Sequence, residues 1–185
     1  MTKENIQIAT VGGGCFWCTE AVFQEVKGVE NVVSGYSGGP DSYRDSRRPT
    51  YREVCSGLSG HAEVVQITFD ANIISYEDIL MVFMTTHNPT TLNQQGADRG
   101  TQYRSVIFYH NEVQKDIAET VIKELNPYYE HNIVTEVSEA SMFYEAEKEH
   151  QDFYKNNPNY GYCNFVIDPK LAKLRKLHAD KLKNV

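Results

Sequence analysis

The sequence predicts a two-layer α+β fold, in which helices pack on a sheet. Short runs rich in β-branched residues alternate along the chain with runs whose apolar residues recur at helical spacing, and no internal repeat is visible. Several strand-like runs alternate polar and apolar residues, which is typical of a sheet with one face open to water. We therefore expect one domain spanning residues 1–185, with a single helical layer over the sheet.

Composition and charge limit the class of protein. Of the 185 residues 41% are hydrophobic and 23% are charged, which is ordinary for a globular domain. The net charge of −7 argues against a nucleic-acid binder. We expect no membrane span and no secretory signal, because no apolar run approaches about 18 residues. Four cysteines are too few for a disulfide scaffold, so we expect a cytoplasmic protein. No heptad pattern demands an oligomer, and we expect a monomer.

The first elements are a strand, a glycine turn and a helix. Residues 6–11 form the strand, Gly12-Gly13-Gly14 forms the turn, and the helical run ends at Gly28. Cys15 then lies in the first helical turn, where unpaired N–H groups and the helix dipole favour a thiolate. Such a position lowers the pKa of a thiol and makes it a nucleophile. A buried cysteine in a tight turn is the alternative, and spacing alone does not decide.

A long irregular segment and a strand with a misplaced carboxyl group come next. Residues 29–33 read as a strand, and residues 34–60 as a loop whose tyrosines and arginines are unlike a flexible linker, so we expect it to pack over the site. Residues 61–70 alternate as a strand, with Glu63 on the apolar face. Burial there would raise the pKa of Glu63 and suit it to general acid catalysis. If the strand end is exposed, Glu63 simply reaches water.

The remaining elements follow from caps and breakers. The pattern predicts a helix capped by Ser75 and ending near His87, a polar loop over 90–102, a strand over 103–109, a helix from Asn111 to Asn126, a strand over 133–137, a helix over 146–154, and a last helix with Asp168 as N-cap and Pro169 at its first position. The C-terminal segment 156–185 carries Cys163 and this last, basic helix. Its lysines and arginine indicate a solvated face rather than a binding patch.

Cys15 and Cys18 form a C-x-x-C pair, which has three chemical interpretations. A zinc site is disfavoured, because Cys55, Cys163 and the histidines lack the matching spacing. A dithiol couple is the second interpretation. In the third, Cys15 alone attacks a small substrate and another cysteine resolves the oxidised product. Phe16 and Trp17 would then line an apolar pocket, although ordinary core packing also accounts for them.

Several blocks of the chain together resemble one enzyme family. The blocks are Gly14-Cys15-Phe16-Trp17, Ser34-Gly35-Tyr36-Ser37-Gly38-Gly39, Pro49-Thr50-Tyr51-Arg52-Glu53-Val54-Cys55, Gly60-His61-Ala62-Glu63, 93–105 and Gly161-Tyr162-Cys163. They occur in order over nearly the whole chain. In this respect the chain is similar to the peptide-methionine (S)-S-oxide reductases, the methionine sulfoxide reductase A family.

The resemblance implies a two-layer α+β sandwich related to the ferredoxin-like plait, with a mixed, largely antiparallel sheet and long active-site loops. It also implies reduction of methionine S-sulfoxide, free or in proteins, as a repair of oxidised protein. Thioredoxin is the implied reductant, and no metal or organic cofactor is implied. A general dithiol–disulfide oxidoreductase and a metal- or sulfoxide-binding module stay open as alternatives.

The resemblance also assigns roles to residues. Cys15 is implied as the nucleophile and Glu63 as the proton donor to the sulfoxide oxygen. Hydrogen bonds from Tyr51 and Tyr103 would hold that oxygen, and Asp98 would organise the polar side. The aromatic pair Phe16 and Trp17 is implied to hold the substrate methyl group.

The chain departs from the common family pattern in its other cysteines. Many members have glycine at the position of Cys18, and many end in a glycine-rich tail with two cysteines. We expect Cys163 to resolve the sulfenic acid of Cys15, because it matches a family position near a flexible segment. A disulfide between Cys15 and Cys18 is the alternative, and Cys55 is expected to be a buried structural thiol.

Overall fold

The computed structural model describes residues 3–43 and 47–183. Its strands are β1 (Ile6–Gly12), β2 (Val29–Ser37), β3 (Ala62–Asp70), β4 (Gln94–Gln95), β5 (Asp98–Arg99), β6 (Val106–Tyr109), β7 (Glu136–Glu139) and β8 (Tyr144–Glu145). Its α-helices are α1 (Phe16–Gln24), α2 (Tyr51–Cys55), α3 (Tyr76–Thr86), α4 (Glu112–Leu125), α5 (Phe153–Asn156) and α6 (Asp168–His178). The predicted helix starts at Ser75 and Asn111 are confirmed, since each side chain accepts a backbone N–H of the first turn.

The main sheet has six strands in the order β7-β6-β1-β3-β2-β8. Every neighbouring pair from β6 through β1, β3 and β2 to β8 is antiparallel, and the edge pair β6 and β7 is parallel. Strands β1, β2, β3 and β6, with α1 and α3 as connections, form the β-α-β-β-α-β unit of a ferredoxin-like plait. The predicted α+β class and the mixed, largely antiparallel sheet are confirmed.

The two faces of the sheet differ in burial. Ala9, Val65 and Ile67 are fully buried in the main core, which the helices cover. On the opposite face of β1, Ile6 and Ile8 are 43% and 40% exposed. The alternation along these strands therefore separates a covered face from a partly open one, and Glu63 falls on the covered face.

The glycine-containing stretch after residue 33 continues the second strand instead of opening a loop. β2 runs to Ser37 because Gly35 lets β8 pair closely: a Cβ there would lie 2.5 Å from the Tyr144 carbonyl oxygen. Farther along, the predicted irregular segment contains α2. Thr50 and Glu53 form a reciprocal capping box at its start. Both elements were missed because glycine and a short polar run are typical of loops.

Two predicted strands begin later than expected. Thr101–Tyr103 is a 3₁₀ turn, so β6 starts at Val106 and not at residue 103. Gly100, with φ +141°, sets that turn in a backbone conformation that side chains rarely adopt. Strand β7 likewise spans Glu136–Glu139 and not 133–137, because its register follows β6.

The helix predicted over 146–154 is wrong. That stretch contains a 3₁₀ turn, Lys148–His150, and the short helix α5, Phe153–Asn156. Two local features separate them. The Gln151 side chain binds the backbone N–H and carbonyl of Ser34, and Asp152 adopts a left-handed φ of +53°. Both hold the backbone in a connection that apolar spacing alone does not reveal.

The C-terminal helix also begins earlier than predicted. Cys163–Ile167 forms a turn of π-helix that runs directly into α6. Ile167 therefore has helical dihedrals, and Asp168 is not an N-cap.

Every helix in the described ranges is too short or too polar to span a lipid bilayer.

Candidate active site

The glycine turn between β1 and α1 fixes the position of Cys15. Gly14 has φ +97°, in the left-handed region, and a Cβ on it would clash with the Gln95 side chain at 2.7 Å. Cys15 follows as the N-cap of α1, and its carbonyl accepts the Cys18 N–H at 3.1 Å. The thiol lies at the start of the helix, as predicted, and the residue is 9% exposed.

Glu63 lies beside this helix start, buried on the covered face of β3. It is 1% exposed, so the alternative of a strand end in water is excluded. Its Oε1 accepts the Phe16 N–H at 3.2 Å, and its Oε2 has no hydrogen-bond partner among the described residues. Burial raises the pKa of Glu63 to about 8, against the Phe16 hydrogen bond, which lowers it. The carboxyl group is therefore mostly protonated at pH 7 and can donate a proton.

The resting charge of the C-x-x-C pair differs from the prediction. The Cys15 thiol donates a hydrogen bond to Cys18, and this bond lowers the pKa of Cys18 to about 7. Burial, the same hydrogen bond and the charge of Glu63 raise the pKa of Cys15. The predicted lowering at Cys15 was wrong because burial of this thiol outweighs the N-terminal end of the helix. The pair loses its first proton from Cys18.

Aromatic side chains surround the thiol pair. Phe16 is buried, with its ring centroid 5.7 Å from that of Tyr36 and 6.5 Å from that of Tyr51. Trp17 is half-buried and stacks on Phe153, with 3.6 Å between ring centroids. Phe16 therefore forms the floor of this region, and Trp17 presents a partly open apolar surface.

The two predicted tyrosines lie within the electrostatic reach of Glu63. Burial raises the pKa of both Tyr51 and Tyr103, and the charge of Glu63 raises each further. Both hydroxyl groups are thus donors at neutral pH. Tyr51 also hydrogen-bonds Cys55, which is half-buried and not fully buried as predicted.

Asp98 and Tyr162 form the polar side. Asp98 lies on β5, in the short β4–β5 hairpin within the predicted polar loop 90–102. Its Oδ2 accepts a hydrogen bond from the Tyr162 hydroxyl at 2.7 Å. The same hydroxyl oxygen is 3.5 Å from Cys18 Sγ. Tyr162 was not among the predicted site residues, although its position directly before Cys163 in a matching block was a usable signal.

Cys163 is held in a helical turn and not in a flexible segment. It is fully buried, it begins the π-helical turn, and its N–H donates to the Tyr160 carbonyl at 2.9 Å. Burial raises the pKa of its thiol, and the charge of Cys18 raises it further. Cys163 therefore lies within electrostatic reach of Cys18.

Two residues that the sequence reading missed complete the aromatic region. Glu147 accepts the Tyr51 N–H at 3.2 Å and the Tyr36 hydroxyl at 2.8 Å. His150 lies between the rings of Trp17 and Tyr51, with centroids at 5.8 and 4.4 Å. The apolar spacing of their segment predicts an ordinary helix, and it gives no sign that either residue belongs to the site. Within residues 3–43 and 47–183, no cluster of histidine, cysteine or carboxylate side chains could hold a metal ion.

Comparison with known proteins agrees with this arrangement. Residues 7–182 match the family model described as peptide methionine sulfoxide reductase. A peptide methionine sulfoxide reductase MsrA from Saccharolobus solfataricus is 54% identical over 178 residues, covering 96% of this chain and 98% of the relative. The MsrA of Acinetobacter baumannii strain AYE is 53% identical, covering 97% of this chain and 100% of the relative.

Solved structures give the same result. Mxr1 from Saccharomyces cerevisiae in reduced form superposes with a TM-score of 0.79 at 31% identity, covering 87% of this chain and 92% of that one. Methionine sulfoxide reductase A of Corynebacterium diphtheriae gives 0.74 at 31% identity, covering 88% and 80%. With its family model, near-full-length relatives and fold in agreement, the chain belongs to the peptide methionine sulfoxide reductase family, MsrA, and is an oxidoreductase.

Proposed function

We propose that residues 1–185 act as one catalytic domain that reduces the S epimer of methionine sulfoxide, protein-bound or free, and so repairs oxidised proteins. One observation carries this proposal. A protonated, buried carboxyl group lies beside a thiol at a helix N-cap, and one of its oxygens accepts the Phe16 N–H while the other has no partner among the residues that the structure describes. A sulfoxide needs a sulfur nucleophile and a proton for its oxygen, and these two groups supply them.

The reaction begins with the Cys15 sulfur attacking the sulfoxide sulfur. The proton of Cys15 passes along its hydrogen bond to Cys18, and Glu63 protonates the sulfoxide oxygen. Tyr51 and Tyr103 donate hydrogen bonds to that oxygen as charge develops on it. The attack forms a bond between Cys15 Sγ and the substrate sulfur. The protonated oxygen then passes as hydroxide from the substrate sulfur to Cys15 Sγ, which breaks the sulfur–oxygen bond and the new sulfur–sulfur bond. Methionine leaves as a thioether, and Cys15 is left as a sulfenic acid.

The pocket discriminates between epimers because sulfoxide sulfur is a stereocentre. Trp17 and Phe16 receive the methyl group, and Glu63 with the two tyrosines receives the oxygen. With Cys15 fixed behind the sulfur, the remaining substituent must leave through the mouth of the site. Only one of the two epimers can place its methyl group, its oxygen and its remaining substituent in these three positions at the same time.

The epimer preference is the direct test of the function. With dithiothreitol as reductant, the protein should convert the S epimer of a methionine-sulfoxide peptide to methionine and leave the R epimer unchanged. Chromatographic separation of the two epimers follows both reactions in one sample. Equal consumption of both epimers, or of neither, would contradict the proposal.

The hydrogen bond between Cys15 and Cys18 supports an order for the disulfides that follow. Cys18 already hydrogen-bonds Cys15, so its thiol condenses with the sulfenic acid, forming a disulfide and releasing water. Cys163, within electrostatic reach of Cys18, then attacks Cys18 Sγ, giving a Cys18–Cys163 disulfide and a free Cys15 thiol. In this order of steps, Cys163 acts in the second step, the exchange with Cys18, and not in the first step, the reaction with the sulfenic acid of Cys15. A dithiol reductant such as thioredoxin returns the protein to its starting state.

Peptide mapping after one turnover without reductant tests this order. The unaltered protein should yield a Cys18–Cys163 disulfide, and Cys163→Ser should stop at Cys15–Cys18. Cys18→Ser should accumulate the sulfenic acid, which dimedone traps. A direct Cys15–Cys163 link formed at full speed in Cys18→Ser would show that Cys18 is dispensable.

We further propose that the enzyme is a monomer and that it acts in the cytoplasm, where thioredoxin-type reductants are available.

A further inference from the structure

Trp17 meets a specific hydrogen-bond acceptor at the aromatic wall of the site. Its indole Nε1–H donates to His150 Nδ1 at 3.2 Å. The imidazole also packs against Phe16, with ring centroids 5.4 Å apart, and against Tyr51 at 4.4 Å. His150 is therefore 8% exposed and joins α1 to α2 through the residues that line the pocket.

The hydrogen bond fixes the state of the imidazole. Indole nitrogen is a donor only, so Nδ1 must be the unprotonated, accepting nitrogen. The ring hydrogen then lies on Nε2, which faces Glu147 Oε2 at 3.5 Å. Glu147 in turn binds the Tyr36 hydroxyl and the Tyr51 N–H. One connected chain therefore runs from the indole to the start of α2.

We propose that His150 is a positioning residue: its neutral imidazole holds the Trp17 indole plane in place, and protonation of Nδ1 releases it. This role rests on the proposed function only where substrate affinity is concerned. An imidazolium has hydrogens on both nitrogens, so it has no acceptor for the indole N–H. Acidification therefore frees the Trp17 indole, the surface that receives the substrate methyl group, without acting directly on Cys15 or Glu63.

The surroundings of His150 set the direction of its titration. Burial lowers its pKa, and Glu147 and Glu149, the charged groups nearest to it, oppose that shift without reversing it. From α1 it faces Phe16 and Trp17, which do not titrate, and from α2 it faces Tyr51, which stays protonated because burial raises its pKa. The indole is therefore held at neutral pH and released only below the ordinary histidine value of about 6.5.

The chain offers a direct probe, because Trp17 is its only tryptophan. Intrinsic fluorescence of the intact, reduced protein without substrate should show a step as the pH falls below about 6.5, separate from any change near pH 7 that the adjacent Cys18 causes. His150→Asn should abolish the step, since an asparagine amide oxygen can take the place of Nδ1 and does not titrate. An identical step in His150→Asn would overturn the proposal, whether or not the protein reduces sulfoxides.

Steady-state kinetics provide a second, independent readout. In His150→Phe the ring packing remains but the acceptor is lost, and KM for an S-sulfoxide peptide at pH 7.5, a pH at which His150 is neutral, should rise by about tenfold. The kcat should stay within about twofold, because the reacting groups are untouched. His150→Asn should restore KM to near the original value. Equal KM values for the two variants would show that the hydrogen bond does not position Trp17.

Discussion

Replacing Cys15 by serine is expected to abolish methionine formation, lowering its rate by about 10⁴-fold or more. A serine hydroxyl ionises far less readily than a thiol, and an alcohol cannot carry the oxygen away as a sulfenic acid. The measurement is methionine released from an S-sulfoxide peptide in the presence of dithiothreitol. Because the proposed oxygen acceptor is the Cys15 sulfur itself, the loss should persist at every pH.

Cys55→Ser is the matched control. It removes a thiol of the same chain while keeping a hydrogen-bonding group beside Tyr51, and its activity should stay within a few-fold of the original. One equivalent of methionine produced by Cys15→Ser in a single turnover would mean that another thiol is the nucleophile. Cys18 is the first thiol to examine in that case, because it is hydrogen-bonded to Cys15.

Glu63→Gln is expected to slow the first turnover by at least about 10²-fold, the typical effect of losing a general acid. Glutamine keeps the shape of the side chain and can still accept the Phe16 N–H, but it cannot deliver a proton. The burst of methionine in rapid-quench experiments without reductant measures this step separately from disulfide exchange. Cys15 should still react with iodoacetamide, because the thiol pair remains in place.

Glu20→Gln provides a control of the same chemistry. Glu20 is 1% exposed and burial raises its pKa to about 7, yet it binds Ser34 and the Phe153 N–H and not the thiol side of α1. Its substitution should change the burst rate by no more than a few-fold. If both variants lost activity equally, general disturbance of the core and not proton donation would explain the Glu63 result.

The pH profile gives the sign of the same effect. In the proposed mechanism the acid form of Glu63 is the active one, and with a pKa of about 8 it disappears as the pH rises through that value. The thiol pair must lose a proton, which occurs near pH 7 at Cys18. The first-turnover rate should therefore rise near pH 7 and fall above about 8, and Glu63→Gln should lack the falling limb.

Local patterns predicted the central part of the fold well. Alternation along β3 put Glu63 on the apolar face, because a strand puts every second residue on one face, but it left open whether that end of the strand is exposed. Side-chain caps at Ser75 and Asn111 predicted the starts of α3 and α4. These signals are local, so they need no knowledge of the tertiary structure.

The outer parts of the site could not be predicted in this way. Glu147 and His150 act through partners more than 90 positions away, and nothing in their own segment distinguishes them from a solvated helix. Likewise, the pKa of Cys15 depends on its burial and on which of the two thiols donates the hydrogen bond. The spacing of the two cysteines in the sequence predicts neither of these. Long-range packing decided both cases.

The bond between Trp17 and His150 links positions 133 residues apart, and this separation has a consequence during protein synthesis. A ribosome delivers Cys15, Cys18 and Trp17 at the beginning of the chain and their aromatic and carboxylate partners near its end. A growing chain therefore exposes a complete dithiol before it has any means of choosing a substrate. The two thiols are therefore exposed for the tens of seconds, roughly, that synthesis takes, and the pocket that selects a substrate forms only when the last third of the chain has folded over them.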